Sequence, residues 1–152
     1  MHDTDKLYNT QQEIAMRMLI IFSVVDQPMT KLKLMFFDFL SIHSSIANGK
    51  SRSIHPDNPK FGLEFFSKES NTEKAIHLLV HKKLINFFYD DKNYYFEVNN
   101  LGRHLISMID GVYKNQLEME VRQVKQEFLS LSEDDIQKYF DKNIVYWGVE
   151  NE

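Results

Sequence analysis

At 152 residues, with 43% apolar and 13% aromatic content, the chain can build one packed core and is too apolar to be disordered. Cysteine is absent, which excludes a disulfide framework, thiolate catalysis and cysteine-bound zinc, and suits a reducing compartment. The formal charge is −4, and all of the acidic excess lies in residues 101–152, where six basic residues face ten acidic ones. Residues 1–50 carry five of each sign and residues 51–100 seven of each, so the basic stripe expected of a dedicated duplex binder is missing. No apolar run approaches a membrane span, and the opening M-H-D-T-D-K lacks the basic start and apolar stretch of a signal peptide. The expectation is a cytoplasmic protein.

Thr10 and Glu13 have capping-box spacing and predict a helix running to about Val24. Ile14, Ala15, Met18, Leu19, Ile21, Phe22 and Val25 give it a broad apolar side. Asp26-Gln27-Pro28 ends it, and Thr30 is suited to cap the next helix. That helix, L-K-L-M-F-F-D-F-L-S-I, is apolar nearly all round and reads as the buried centre of a helical layer. Asp38 inside it is expected at the rim or paired with a lysine. The irregular stretch S-S-I-A-N-G-K-S-R-S-I-H-P-D-N-P-K then exceeds ordinary loop length and reads as an insertion with a contact role. Phe61, Leu63 and Phe65 alternate as in a short strand.

Ser70 and Glu73 form a further capping-box pattern. Ala75, Ile76, Leu79, Val80 and Leu84 share one helical face, while Lys74, His77, His81 and Lys82 share the other. A hairpin follows, with Ile85 opposite Val98, Phe87 opposite Phe96 and Tyr89 opposite Tyr94. Those six residues form one face, expected to be buried, and Phe88 lies beside Tyr95 on the other. Without Asn-Gly or Asp-Gly at the turn, a loop of four or more residues, Asp90 to Asn93, is expected.

Asn99 and Asn100 can cap a helix expected from about 100 to 130, bent at Gly111, with Leu105, Met108, Ile109 and Val112 on its buried face. Leu117, Val121, Val124, Phe128 and Leu131 continue as a two-heptad stripe. Ser132 and Asp135 open a short helix carrying Ile136, Tyr139 and Phe140, followed by the tail I-V-Y-W-G-V. The fold class is therefore mainly α with a small β-hairpin: a winged helix-turn-helix over residues 1–112, and a C-terminal helical extension and tail over 113–152.

Chemical motifs are weak. Gly49-Lys50-Ser51 resembles the end of a phosphate loop, but position 44 is Ser and a helix precedes it. His77 and His81 have metal-ligand spacing, yet Leu78 stands where a metalloprotease needs Glu, so they read as a solvated or partner-facing pair. Neither a catalytic triad context nor a close acidic pair is visible, and no catalytic, cofactor or metal residue is assigned. Lys50, Arg52, Lys74, Lys82, Lys83 and Lys92 are candidate phosphate contacts. Against them, Asp90 and Asp91 occupy the hairpin tip, and the exposed face of the third helix offers no Arg, Asn or Gln for bidentate base contact.

The ordered set L-Y-N-T-Q-Q-E-I-A-M-R-M-L-I, F-L-S-I-H-S, S-I-H-P and L-L-V-H-K-K-L-I resembles the middle component of ABC-three component systems, also seen in Lamassu-type bacterial defence. The likeness spans roughly residues 7 to 130 and weakens after Leu131. It implies a non-enzymatic adaptor between an SMC-like ABC ATPase and an effector in an anti-phage or anti-plasmid complex, with nucleic-acid sensing left largely to the ATPase. A winged-helix DNA binder or transcriptional regulator is the alternative. Candidate partner contacts are Leu117, Val121, Val124, Phe128, Tyr146 and Trp147, with Phe88 and Tyr95 on the hairpin. They are chosen as apolar surface beyond what a minimal winged helix needs, rich in the aromatic types that dominate interfaces.

Overall fold

The computed structural model describes residues 10–43 and 68–144. Among these, six helices and one hairpin follow in order: α1 Gln11–Val25, α2 Lys31–Ile42, α3 Glu69–His81, β1 Ile85–Asp90, β2 Asn93–Val98, α4 Asn100–Met108, α5 Val112–Phe128 and α6 Glu133–Ile144. The fold is mainly helical with a two-stranded antiparallel sheet. The long insertion, its expected strand at 61–65, the Gly49-Lys50-Ser51 loop, Lys50, Arg52, Tyr146 and Trp147 lie outside the described residues.

Caps set most helix starts. The Thr10 hydroxyl accepts from the Glu13 amide, and Thr30 does the same for the Lys33 amide. Asn99 caps α4 through the Gly102 amide, and Ser132 and Asp135 form a reciprocal capping box. The Ser70–Glu73 box does not form. Helix α3 begins earlier, with Lys68 at the N-cap and no side-chain cap, and Glu73 instead accepts a hydrogen bond from Lys31 at 2.7 Å. At the other end, the Leu84 amide reaches Leu79 O and the Lys83 amide reaches Val80 O, with Lys83 at φ 59°. That pair is a Schellman closure, and it turns the chain directly into β1.

Helix α1 packs chiefly on α3 and α5, and α2 on α5. Leu34, Phe36, Phe37, Phe39, Leu40 and Ile42 of α2 are fully buried, as its all-round apolar character requires. Phe36 is the hub on which α6 docks, with ring centroids 5.3 Å from Phe128, 5.7 Å from Tyr139 and 5.3 Å from Phe140. Leu117, Val121 and Val124 are 0% exposed in the same cluster. The stripe expected to meet a partner therefore serves this chain's own core, with Phe128 half-buried at its edge.

Asp38 is neither at the rim nor matched by a lysine alone. It is 2% exposed and takes a bidentate pair from Arg17, at 2.6 Å from Nε and 3.0 Å from Nη2, with Lys68 Nζ 3.7 Å away. Burial disfavours the Arg17 charge, but Asp38 and Tyr113 outweigh it and raise the arginine above its ordinary value. Three lysines bond backbone carbonyls at the ends of other helices: Lys33 to Leu129 O, Lys125 to Val24 O, and Lys114 to Ile106 O and Ile109 O. Carbonyls at helix ends run short of backbone donors, so each lysine both caps and ties two elements, although Ile106 O also accepts from the Ile109 amide.

The hairpin has the expected register, Ile85 opposite Val98 through Asp90 opposite Asn93. Its turn is shorter than expected. Only Asp91 and Lys92 intervene, at φ 45° and 71°, the two positive values of a type I′ turn without its usual glycine. Burial also differs: Ile85 and Val98 are buried, but Phe87, Tyr89 and Tyr94 are 55%, 62% and 56% exposed. The strands outrun the core, so only their root is covered. Met29 fixes that root by exchanging both backbone hydrogen bonds with Phe96 at 2.9 Å.

The expected continuous helix is broken. Helix α4 ends at Met108, and Gly111 at φ 127° starts α5 afresh. Met108 lies off the buried Gly102–Ile106 face of α4 and Val112 falls after the loss of helical phase, so both are exposed rather than buried. The buried face of α4 is instead Gly102 and Ile106. A Cβ on Gly102 would stand 2.3 Å from Leu84 O, so this glycine permits the close approach of α4 to the hairpin root.

Candidate functional site

The overshoot of the hairpin opens a cleft of about 1510 Å³ between its aromatic face, α3, the start of α2 and the start of α6. Its floor is apolar: Leu32, Ile76, Val80, Phe87, Tyr94 and Phe96. The Phe87 and Tyr94 rings lie 6.2 Å apart, and Tyr89 extends the row with its ring 5.1 Å from Tyr94. On the reverse face, Phe88 and Tyr95 stack at 5.4 Å, with Phe88 40% exposed.

The two rims carry opposite charge. Lys74, His77 and His81, three and four residues apart, line the α3 rim, and Lys92 comes from the turn. Glu133 and Asp134, at the first turn of α6, line the opposite rim. Between them, Lys31 is already held by Glu73 at 2.7 Å and Glu69 at 3.2 Å. Partial burial lowers the affinity of Lys31 for its proton, but the two carboxylates outweigh that and raise it. Glu73 is correspondingly lowered by its hydrogen bond to Lys31. Glu133 accepts a hydrogen bond from Thr30, which joins the cap of α2 to the acidic rim.

Of the proposed phosphate contacts, Lys74, Lys82, Lys83 and Lys92 are exposed, but only Lys74 and Lys92 line the cleft. Of the proposed partner contacts, Phe88 and Tyr95 share the hairpin with the cleft but face away from its floor. Among the described residues no group of three or more His, Asp or Glu side chains is placed to hold a metal, and no helix is long and apolar enough to cross a membrane. Phe87 and Tyr94 were expected in the core, and the acidic rim was not foreseen. Its only sequence signal is Glu133-Asp134-Asp135 at a helix start, which does not tell where that helix docks.

No curated protein and no solved structure matches the chain. The family model described as ABC-three component (ABC-3C) system Middle Component 2 matches residues 7–150, nearly the whole sequence. The chain therefore belongs to the Middle Component 2 family and is a component of a multi-protein ABC-three component system.

Proposed function

We propose that the protein is a non-enzymatic adaptor of winged-helix type that joins an SMC-like ABC ATPase to an effector in a cytoplasmic, Lamassu-like defence complex. The observation that carries the reading is the row Phe87, Tyr89 and Tyr94, exposed beside a helix rim in a member of a multi-component family. Large aromatics left uncovered in a contiguous patch mark interaction surfaces more often than chance exposure. The order α1, α2, α3, hairpin, with Met29 bridging Phe96 as a third short β segment, supports the winged-helix assignment.

The alternative, a winged helix that reads DNA, draws on exposed Lys74, Lys82 and Lys83 on and after α3. Asp90 and Asp91 at the hairpin tip and the acidic rim oppose phosphate approach there. The test is co-expression with the other two components of the system and purification through a tag on this chain. Recovery of all three in fixed ratio supports the adaptor; recovery of neither partner contradicts it.

A further inference from the structure

The cleft between α3 and the hairpin has a size, an interior and a charge pattern that narrow what it can hold. At about 1510 Å³ it exceeds the ~300–1,000 Å³ typical of small-molecule sites. Its floor is made of side chains of a helix and of a sheet face, and of the hairpin's outward backbone groups Phe96 is bound to Met29. An extended occupant would have to leave that apolar floor for a strand edge to find backbone partners. A helix satisfies its own N–H and C=O groups and needs only an apolar stripe.

Charge fixes the orientation. Lys74 and Lys92 form no ion pair among the described residues, whereas Lys31 is neutralised by Glu69 and Glu73, and the Glu73 carboxylate also interacts with His77. The basic rim thus follows α3 and the turn, and Asp134 with Glu133 supplies the acidic one. A nucleic acid lying in the cleft would set phosphates against those two carboxylates, which disfavours it.

From this arrangement we infer that the cleft takes an amphipathic helix of another component of the complex. Its apolar stripe lies on Phe87, Tyr94 and Val80, its carboxylates on the flank facing α3, and its neutral or basic residues on the flank facing α6. This rests on the adaptor reading and adds the site and the chemistry of the partner.

The experiment replaces Tyr94, which is exposed and so leaves the fold intact, by a photo-crosslinking aromatic residue in the co-expressed complex. Mass spectrometry then identifies the linked segment. In parallel, the affinity of the other components is measured for Tyr94→Asp, for Lys74→Glu with His81→Glu, and for Met119→Asp, an exposed control on α5. The expected link falls in one amphipathic helical segment rich in carboxylates on one flank. Tyr94→Asp should weaken binding by at least about 30-fold, the size of an interface hot spot, and the rim reversal by several-fold at low salt. Met119→Asp should bind like wild type. A link to DNA, to a second copy of this chain, or to a segment without carboxylates overturns the inference. Full affinity of Tyr94→Asp in an assembled complex overturns the cleft assignment while the adaptor reading stands; failure of any complex to assemble overturns both.

Discussion

Arg17 and Asp38 each sit in a helix that is otherwise apolar on its buried side, and they neutralise each other there. One charge alone on the apolar face of α1 and one in the middle of α2 is a pairing signal that separate inspection of each helix misses. Removing one partner strands the other: Asp38→Asn is expected to cost about 3–5 kcal/mol in urea unfolding. Adding Arg17→Met should recover part of that loss, and no recovery would mean that Lys68 or Tyr113 dominates the network. Tyr113, beside Arg17, is pushed up from 10.0 to about 12, mainly by burial. A raised folded value means that the native state holds the proton longer. Its contribution is full below pH 10 and is lost as the pH rises through about 12. The loss is at most about 2–3 kcal/mol, since part of the ring is open to solvent. Tyr139 is raised in the same direction, chiefly by burial and then by Glu127. Alkaline unfolding followed by phenolate absorbance should therefore flatten between pH 10 and 12 in Tyr113→Phe.

At the scale of elements, starts were legible and ends of surfaces were not. Thr10, Thr30, Asn99 and Ser132 are local signals, and each caps the helix its spacing predicts. Ser70 has the same signal and fails, because α3 already starts at Glu69 and the Glu73 carboxylate goes to Lys31 of another helix. Strand alternation fixed the hairpin register, since a slip by one would exchange its faces. It could not say that the core ends near Ile85 and Val98, because that depends on where α1 and α4 lie. The stripe Leu117, Val121 and Val124 is regular in either role, and only packing on α1 and α2 assigns it to the core. Gly102 offers a test of the α4–hairpin junction. Gly102→Ala places a Cβ 2.3 Å from the Leu84 carbonyl and 2.6 Å from Val98 Cγ2. The backbone carbonyl cannot swing aside, so a loss of about 1–3 kcal/mol is expected, checked by thermal unfolding. A wild-type melting temperature would mean that α4 sits farther from the hairpin.

At the scale of the whole molecule, the described helices pack on a core that includes Phe36 and the Arg17–Asp38 pair, and the hairpin projects from it with Phe87, Tyr89 and Tyr94 exposed. The net charge of −4 and the carboxylates at the hairpin tip and α6 disfavour duplex DNA. Fluorescence anisotropy at physiological salt should give binding no tighter than the ~10⁻⁴–10⁻⁶ M of non-specific contacts, without sequence preference. A nanomolar complex with one sequence would put the DNA reading first. The face beside α3 is most directly probed by hydrogen exchange, comparing the chain alone with the chain assembled with the other two components. Slowed exchange concentrated in His77–His81 of α3 and Phe87–Phe96 of the hairpin is the expected result. Unchanged exchange there, with protection only on the outer faces of α4 and α5, would contradict it.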